Sequence, residues 1–286
     1  VLIVGCGDIG LRVAGRLTTR AHVTALTSSA GRRDELRARG IRPLSGDLDQ
    51  PESLRRLAGI ATQVLHLAPP PGEGWADSRT RALVNALRRR SLPATVVYGS
   101  TSGVYGHCAG AVVNETRMPR ADTPRARRRV DAERAIRFLG RSAGVRSAIL
   151  RIPGIYASDR AGGTPRGRLE KGTPVLRPED DVYTNHIHAD DLARACIAAL
   201  WRGKHQRIYN VNDDTQLMMG DYFDLAADLY GLPRPPRVAR DTAHHELPLM
   251  LLSFMSESRR MDNTRMKREL RLALAHPTVA SGLAVV

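Results

Sequence analysis

Aromatic residues, lysine and cysteine are scarce in this chain. Aromatic side chains make up 4% of its 286 residues, too few for a platform on which nucleic-acid bases stack. Lysine occurs only as Lys171, Lys204 and Lys267, so arginine supplies the rest of the 44 basic residues behind a net charge of +15. Those arginines are spread over most of the helical segments rather than gathered in one stripe. The charge therefore does not argue for a nucleic-acid partner. Cys6, Cys108 and Cys196 are far apart, odd in number and form no C-x-x-C pair. That pattern speaks against a disulfide framework and against a zinc site. No apolar run is long enough to span a bilayer, and no basic segment followed by an apolar core opens the chain. No membrane association and a cytoplasmic location are the expectations. No internal repeat or low-complexity tract is present.

The most informative stretch runs from Val1 to Gly15. The apolar run Val1 to Val4 leads directly into Gly5-Cys6-Gly7-Asp8-Ile9-Gly10, and Leu11, Ala14 and Leu17 then recur on one helical face. This reads as a buried strand, a glycine turn and a helix. Gly5 lets the chain turn, Gly7 leaves the backbone bare for a pyrophosphate, and Gly10 lets the helix approach the sheet. The free amides and the positive helix end, with Asp8 and Ile9 in the first turn, then face an anion. Dinucleotide binding is the expectation.

Further along, strand and helix patterns alternate. Strands are expected at His22–Thr27, Ile41–Leu44, Gln63–Ala68, Ala94–Tyr98, Ser147–Ile152 and Arg207–Val211. Helices are expected at 34–39, 52–57, 78–90, 127–143, 190–201, 222–230 and 264–274, the last capped by Asn263. Such alternation gives an α/β fold with a doubly wound parallel sheet, whose ligands bind beyond the carboxyl ends of the strands. Residues 1–156 and 185–211 form the expected dinucleotide-binding domain. Residues 157–184 and 212–286, with little periodicity, form a smaller, mainly C-terminal substrate cap.

Thr27 lies 20 residues after Gly7, where an acid would grip the ribose 2′-hydroxyl of NAD. Thr27, Ser28 and Ser29 stand there instead, with Arg32 and Arg33 close behind. Hydroxyl and guanidinium groups accept a 2′-phosphate that a carboxylate would repel. NADP is therefore expected over NAD, with NAD possible. His186 and His188 share a strand face but have no third ligand in sight, and His244-His245-Glu246 lacks zincin spacing, so no metal site is expected.

The ordered motifs GCGDIG at 5–10, GDL at 46–48, HLA at 66–68, STSGVYG at 100–106, RIPGIY at 151–156, NHIHADDLA at 185–193 and YNVND at 209–213 cover most of the chain. With SRRMDNTRMKREL at 258–270, they resemble extended short-chain dehydrogenases/reductases of the NAD-dependent epimerase/dehydratase family, most closely an atypical, YeeZ-like branch. The resemblance implies a Rossmann domain and a small polar or nucleotide-linked substrate. It places Asp47 on the adenine amine and the Leu48 backbone along the ring. Leu67 and Ala68 would lie beneath the nicotinamide ribose, and Pro153 near the carboxamide. It also implies pairing of two copies through the segments at 78–90 and 126–143.

The family's chemistry couples hydride transfer to a Ser or Thr, a Tyr and a Lys in Tyr-x-x-x-Lys. Thr101 matches the first. Counting back from Ala132-Glu133 puts Arg125 at the Tyr position and Arg129 at the Lys position. A guanidinium is no general base, although Arg129 retains the capacity to bind ribose or phosphate. Tyr183 is a substitute phenol on the expected substrate side. Two readings stay open: an NAD(P)-binding oxidoreductase or epimerase/dehydratase-like enzyme with an atypical active site, and a catalytically silent NADP(H)-binding sensor.

Overall fold

The computed structural model describes residues 1–284, without the side chains of His244, Glu246, Leu249, Met250 and Phe254. Its strands are β1 (Leu2–Val4), β2 (Thr24–Thr27), β3 (Arg42–Ser45), β4 (Gln63–His66), β5 (Thr95–Thr101), β6 (Val112–Val113), β7 (Arg146–Ile152), β8 (Gly154–Tyr156), β9 (Val175–Leu176), β10 (His186–His188), β11 (Arg207–Asn210), β12 (Arg237–Val238) and β13 (Arg260–Met261). Its helices are α1 (Asp8–Leu17), α2 (Arg33–Ala38), α3 (Ser78–Leu87), α4 (Pro124–Ala143), α5 (Arg166–Leu169), α6 (Ala189–Arg202), α7 (Met219–Tyr230), α8 (Arg240–Glu246), α9 (Leu249–Met255), α10 (Thr264–Glu269) and α11 (Val279–Leu283).

Seven strands form one sheet in the order β11-β7-β5-β4-β1-β2-β3, and every pairing in it is parallel. This is the doubly wound Rossmann arrangement. Alternate residues of each central strand face opposite layers, as the period of two requires. Ile3 and Val97 join the core beneath α1 and α6. Leu2, Val4, Val96 and Tyr98 join the core beneath α3 and α4. A third core, built on Tyr156, Leu169, Val175, Tyr222 and Phe223, holds the elements that follow β7.

Local signals explain the helix ends. Thr123 accepts from Ala126 N at 3.2 Å, Pro124 opens α4, and Gly144 closes it at φ +66°, which is the favoured start and stop chemistry. Asp77 caps α3 by accepting from Thr80 N at 2.9 Å.

Several expectations need correction. The segment expected as a helix over 52–57 is a 3₁₀ helix, Pro51–Leu57. The strand expected over Ala94–Tyr98 continues to Thr101, because the buried Ser100 finds a hydrogen-bond partner inside the sheet layer. The last long helix stops at Glu269 rather than 274. Asn263 sits at its N-cap position without capping it. The Asn263 side chain donates instead to the backbone oxygens of Asn212 and Asp213, while Asp262 Oδ1 accepts from Thr264 N at 2.8 Å. The last two residues of the expected cap lie outside the described residues.

Gly5 fixes the first turn. It stands at φ +90°, and a Cβ there would lie 2.3 Å from the backbone N of Ala68. A Gly5→Val variant combines a left-handed backbone with a steric clash. It is expected to lose about 3 kcal/mol or more of stability, read as a lowered urea midpoint. An unchanged midpoint would contradict this packing.

Candidate active site and cofactor cradle

At the pyrophosphate end, Gly7 is the N-cap of α1 and no side chain caps the helix. A Cβ on Gly7 would meet nothing within 4 Å, whereas one on Gly10 would lie 2.9 Å from Gly5 O. The helix thus packs tightly behind the turn and leaves its amide end bare in front, as an anion site requires. Ile9 is half-buried against the core. The Asp8 carboxylate is neutralised by Arg12 Nε and Arg160 Nε, each at 3.0 Å. Arg12 also reaches Asp159 and Asp190, at 2.6 and 3.0 Å. The 159–160 loop is thereby held beside the glycine turn.

At the adenosine end, Thr27 is buried and its Oγ1 accepts from Ser29 N at 3.2 Å. Ser28 and Arg33 are exposed. Arg32 is half-buried, with Nε 3.4 Å from Glu35. Burial pushes the Cys6 thiol up to about 11, and Arg32 pulls it the other way. Cys6 therefore stays a protonated packing residue. Asp47 caps no helix. Its Oδ1 accepts from Asp49 N at 2.9 Å, and Leu48 packs on the core beneath α3.

At the nicotinamide end, Leu67 N and Ala68 N both donate to Val4 O, at 2.7 and 3.0 Å. This locks the end of β4 beside the glycine turn. Thr101 ends β5 half-buried, its Oγ1 accepting from Gly103 N at 3.3 Å. Arg129 donates from Nη1 to Tyr98 Oη at 3.0 Å and to Gly99 O at 2.9 Å. Arg125 is exposed in the first turn of α4. Pro153 is half-buried between β7 and β8. Tyr183 is half-buried under the Arg260 guanidinium, 4.9 Å from its ring centre.

Three groups here carry no local signal strong enough to be singled out from sequence. The first is the ion pair of Glu133 and Arg151. Both side chains are buried, and Arg151 binds Glu133 in a fork, Nε to Oε1 at 3.1 Å and Nη2 to Oε2 at 2.8 Å. Ser100 Oγ donates to the same Oε1 at 2.6 Å, and the guanidinium stacks 4.6 Å from the Tyr105 ring centre. The second is Arg259, buried, with Nη1 bonded to Gly106 O and Glu257 and Nη2 at 3.4 Å from Ser102 Oγ. It places a cation beside the turn that follows Thr101. The third is a buried chain of Asp77, Thr80 and His66, with both side-chain links at 2.8 Å.

Burial raises the phenols of Tyr98, Tyr105, Tyr156, Tyr209 and Tyr222, so none of these five is a base at neutral pH. Among the described residues no cluster of three or more His, Cys, Asp or Glu could hold a metal. His186 stacks on Tyr222 with ring centres 4.2 Å apart, and His188 meets His276 in a tilted arrangement at 3.8 Å. In the His244-His245-Glu246 run, the side chains of His244 and Glu246 lie outside the described residues.

Breaking the buried pair by Glu133→Gln leaves a forked guanidinium without its counter-charge. It should cost about 3–5 kcal/mol. The double variant Glu133→Gln/Arg151→Met should recover a measurable part of that in chemical unfolding. A second expectation concerns pH. Burial lowers His66 to about 3 and His186 to about 4 from an ordinary 6.5. The unfolded chain therefore binds protons that the folded chain refuses, and this contribution to stability is lost as pH falls from about 6.5 toward those values. Burial raises Asp213 to about 7, so its contribution runs oppositely, destabilising the fold as pH rises from about 4 to 7. Urea midpoints of His186→Phe should fall less on acidification than those of the parent, and those of Asp213→Asn should fall more.

The comparisons with known proteins agree with this geometry. The sequence profile of the NAD dependent epimerase/dehydratase family matches residues 1–212. A UDP-glucose 4-epimerase from Azospirillum brasilense is 26% identical over 238 residues, covering 68% of this chain and 66% of that relative, just under two thirds of its length. A functionally unknown conserved protein from Silicibacter pomeroyi superposes with a TM-score of 0.79 at 28% identity, over 99% of this chain and 96% of that one. A UDP-glucuronic acid 4-epimerase from Bacillus cereus, solved in complex with NAD, shares the fold with a TM-score of 0.77 at 19% identity, over 99% and 95% of the two chains. Glycine turn, sheet order and profile together show that the chain belongs to the NAD-dependent epimerase/dehydratase family.

Proposed function

We propose that the protein binds a pyridine dinucleotide, NADP(H) in preference to NAD(H), and acts with it on a nucleotide-linked or similarly polar small substrate. The observation that carries this reading is the uncapped amide end of α1, with open space in front of Gly7 and tight packing behind Gly5 and Gly10. A diphosphate fits such an end, since bare N–H groups and the helix dipole both favour an anion. The names of the epimerases similar to this chain support a nucleotide sugar as the substrate class. Ser28, Arg32 and Arg33 support the 2′-phosphate, because hydroxyl groups and not a carboxylate stand directly at the end of β2, with Arg32 also shared with Glu35. Asp47, Leu48, Leu67, Ala68 and Pro153 would line the remainder of the cofactor's path.

When bound, the nicotinamide supplies a hydride donor or acceptor. Thr101 would hold a substrate oxygen through its hydroxyl, with Arg259 as the neighbouring positive charge. Proton transfer is the departure from the family pattern. A phenol near pKa 10 becomes a useful base beside a cation, but Arg125 and Arg129 stand where the phenol and the ammonium would be. Arg129 is spent on Tyr98 and Gly99. Tyr183 remains the candidate phenol of the enzyme reading. The bonds of Arg129 favour a second reading, an NADP(H)-binding sensor without turnover.

Calorimetric titration tests the first step. NADPH is expected to bind at least about tenfold more tightly than NADH, with Arg32→Glu removing the difference. Gly7→Val should abolish binding while leaving the melting temperature unchanged. Absence of heat with every form of the cofactor would end the proposal, and tighter NADH would end its NADP part. Loss of nicotinamide absorbance when the NADPH-loaded protein meets oxidised nucleotide sugars would select the enzyme over the sensor. Loss of that turnover in Tyr183→Phe would assign the phenol.

A further inference from the structure

His188 ends β10 and stands at the N-cap of α6, where its ring does the capping. Nδ1 accepts from Asp190 N at 3.2 Å. An N-cap ordinarily uses a hydroxyl, amide or carboxylate oxygen. An imidazole serves only while Nδ1 keeps its lone pair, so the neutral ring carries its proton on Nε2. The side-chain cap of α6 therefore exists in one protonation state of one residue.

The same ring seats a second element. The half-buried His276 lies against it, tilted, with ring centres 3.8 Å apart, and Tyr156 of β8 meets it edge-on at 5.3 Å. His276 belongs to the stretch between α10 and α11 that returns to the first turn of α6. Asp191 holds the start of this stretch, its two oxygens accepting from Ala275 N at 2.9 Å and His276 N at 2.8 Å. Further along, Pro277 O accepts from Asp214 N at 2.8 Å and Thr278 O from Tyr156 Oη at 3.2 Å. Val279 N donates to Thr215 Oγ1 at 2.9 Å.

The charges around His188 decide its response to acid. The carboxylates of Asp190 and Asp191 favour an imidazolium, but both are engaged elsewhere. Asp190 Oδ1 is shared by Arg12 at 3.0 Å and Arg16 at 3.1 Å. Asp191 is wholly buried and takes Arg194 at 2.7 Å besides the two amides. Burial opposes the charge most, His276 and Arg12 add to it, and His188 is held below the ordinary imidazole range. Protonation would remove the lone pair that caps α6. It would also set a cation against the His276 ring, and two charged rings in contact repel.

We infer that the contact between His188 and His276 is a latch that holds the 275–283 segment on the first turn of α6 and releases it on acidification. The docked form refuses a proton that the released form accepts. The latch is therefore closed above the ordinary imidazole range, about 6.5, and opens as pH falls below it. Asp213 reaches the same segment through Thr215, whose N donates to Asp213 Oδ1 at 3.0 Å. Burial raises Asp213, so its protonation favours the folded form and works against release. The inference does not depend on the cofactor reading.

Amide hydrogen exchange of the full chain tests it, at about pH 7.5 and about pH 5, corrected for the intrinsic pH dependence of exchange. The 275–283 segment is expected to lose protection by about tenfold or more at the lower pH, while β5 and β7 keep theirs. His276→Phe keeps an aromatic ring in the contact without a charge. His188→Asn keeps an N-cap acceptor that does not titrate. In each variant the loss should shrink to about threefold or less, and in Asp213→Asn it should persist. His276→Phe, at a half-buried ring, decides alone should His188→Asn fail to fold. Equal protection of the segment at both pH values in the parent would overturn the inference. A parallel loss in β5 would overturn it too, since the event would then be global acid unfolding. An undiminished loss in either folded histidine variant, or its disappearance in Asp213→Asn, would assign the release to other groups and overturn it as well.

Discussion

The paired charges of Glu133 and Arg151 are the constraint that holds α4 against β5 and β7. Neither side chain reaches solvent, and each lies on a different element, α4 and β7. Removing two charges from water is expensive, and only a good fork with further hydrogen bonds offsets it. Ser100 from β5 supplies one such bond, and the Tyr105 ring covers the guanidinium. Tyr105 in turn donates to Asn210 at the end of β11, at 2.6 Å. One pair thus ties α4 to three neighbouring strands of the sheet and to the turn after β5. The positions of Thr101, Arg125 and Arg129 follow from it, because α4 cannot slide along the sheet without breaking the fork.

The same rigidity bears on the proposed reading in which arginines of α4 would stand at the positions of a tyrosine and a lysine. Arg129 projects toward the sheet from a helix that is already fixed, and its longer head reaches Tyr98 and the carbonyl of Gly99. A planar group with several donors is satisfied by acceptors that an ammonium would use differently. Buried Tyr98 gains a partner that it would otherwise lack. On that reading a proton carrier would be lost, since a guanidinium stays charged across the physiological range. On the proposed reading the cradle and the chemistry are separable: the first would depend on glycine and backbone amides, the second on side chains at the positions of Arg125 and Arg129.

Much of the fold was legible because its signals are local. Strand β1, the glycine turn and α1 follow from a period of two giving way to a period of 3.6 around three glycines. The boundaries that moved did so for tertiary reasons. Gly99-Ser100 lacks strand propensity, yet the strand runs on to Thr101 because Ser100 bonds across to α4. The pairs β8 with β10, β9 with β12 and β6 with β13 are two or three residues long, too short for any period to show. At the site, the backbone features were readable and the side-chain partnerships were not. Glu133 and Arg151 lie in separate elements with no shared pattern, and Arg259 meets Ser102 across 157 residues of chain. Contacts of that range are set by topology, which sequence periodicity does not encode.

Arginine abundance has two different physical meanings here. Inside the fold, Arg12 and Arg151 are matched by carboxylates, and Arg259 is matched by Glu257 and a backbone oxygen. Their forks hold loops and helices in place. Among the described residues, Arg88, Arg127 and Arg134 on the outer faces of α3 and α4 cover aromatic rings or line grooves without a carboxylate partner. A compositional drift toward arginine would add cations to the surface at random, and exposed pairs would contribute little. The net charge of the chain is therefore not one property but two, an internal set of matched cations that holds loops and helices in place and an external set that faces solvent.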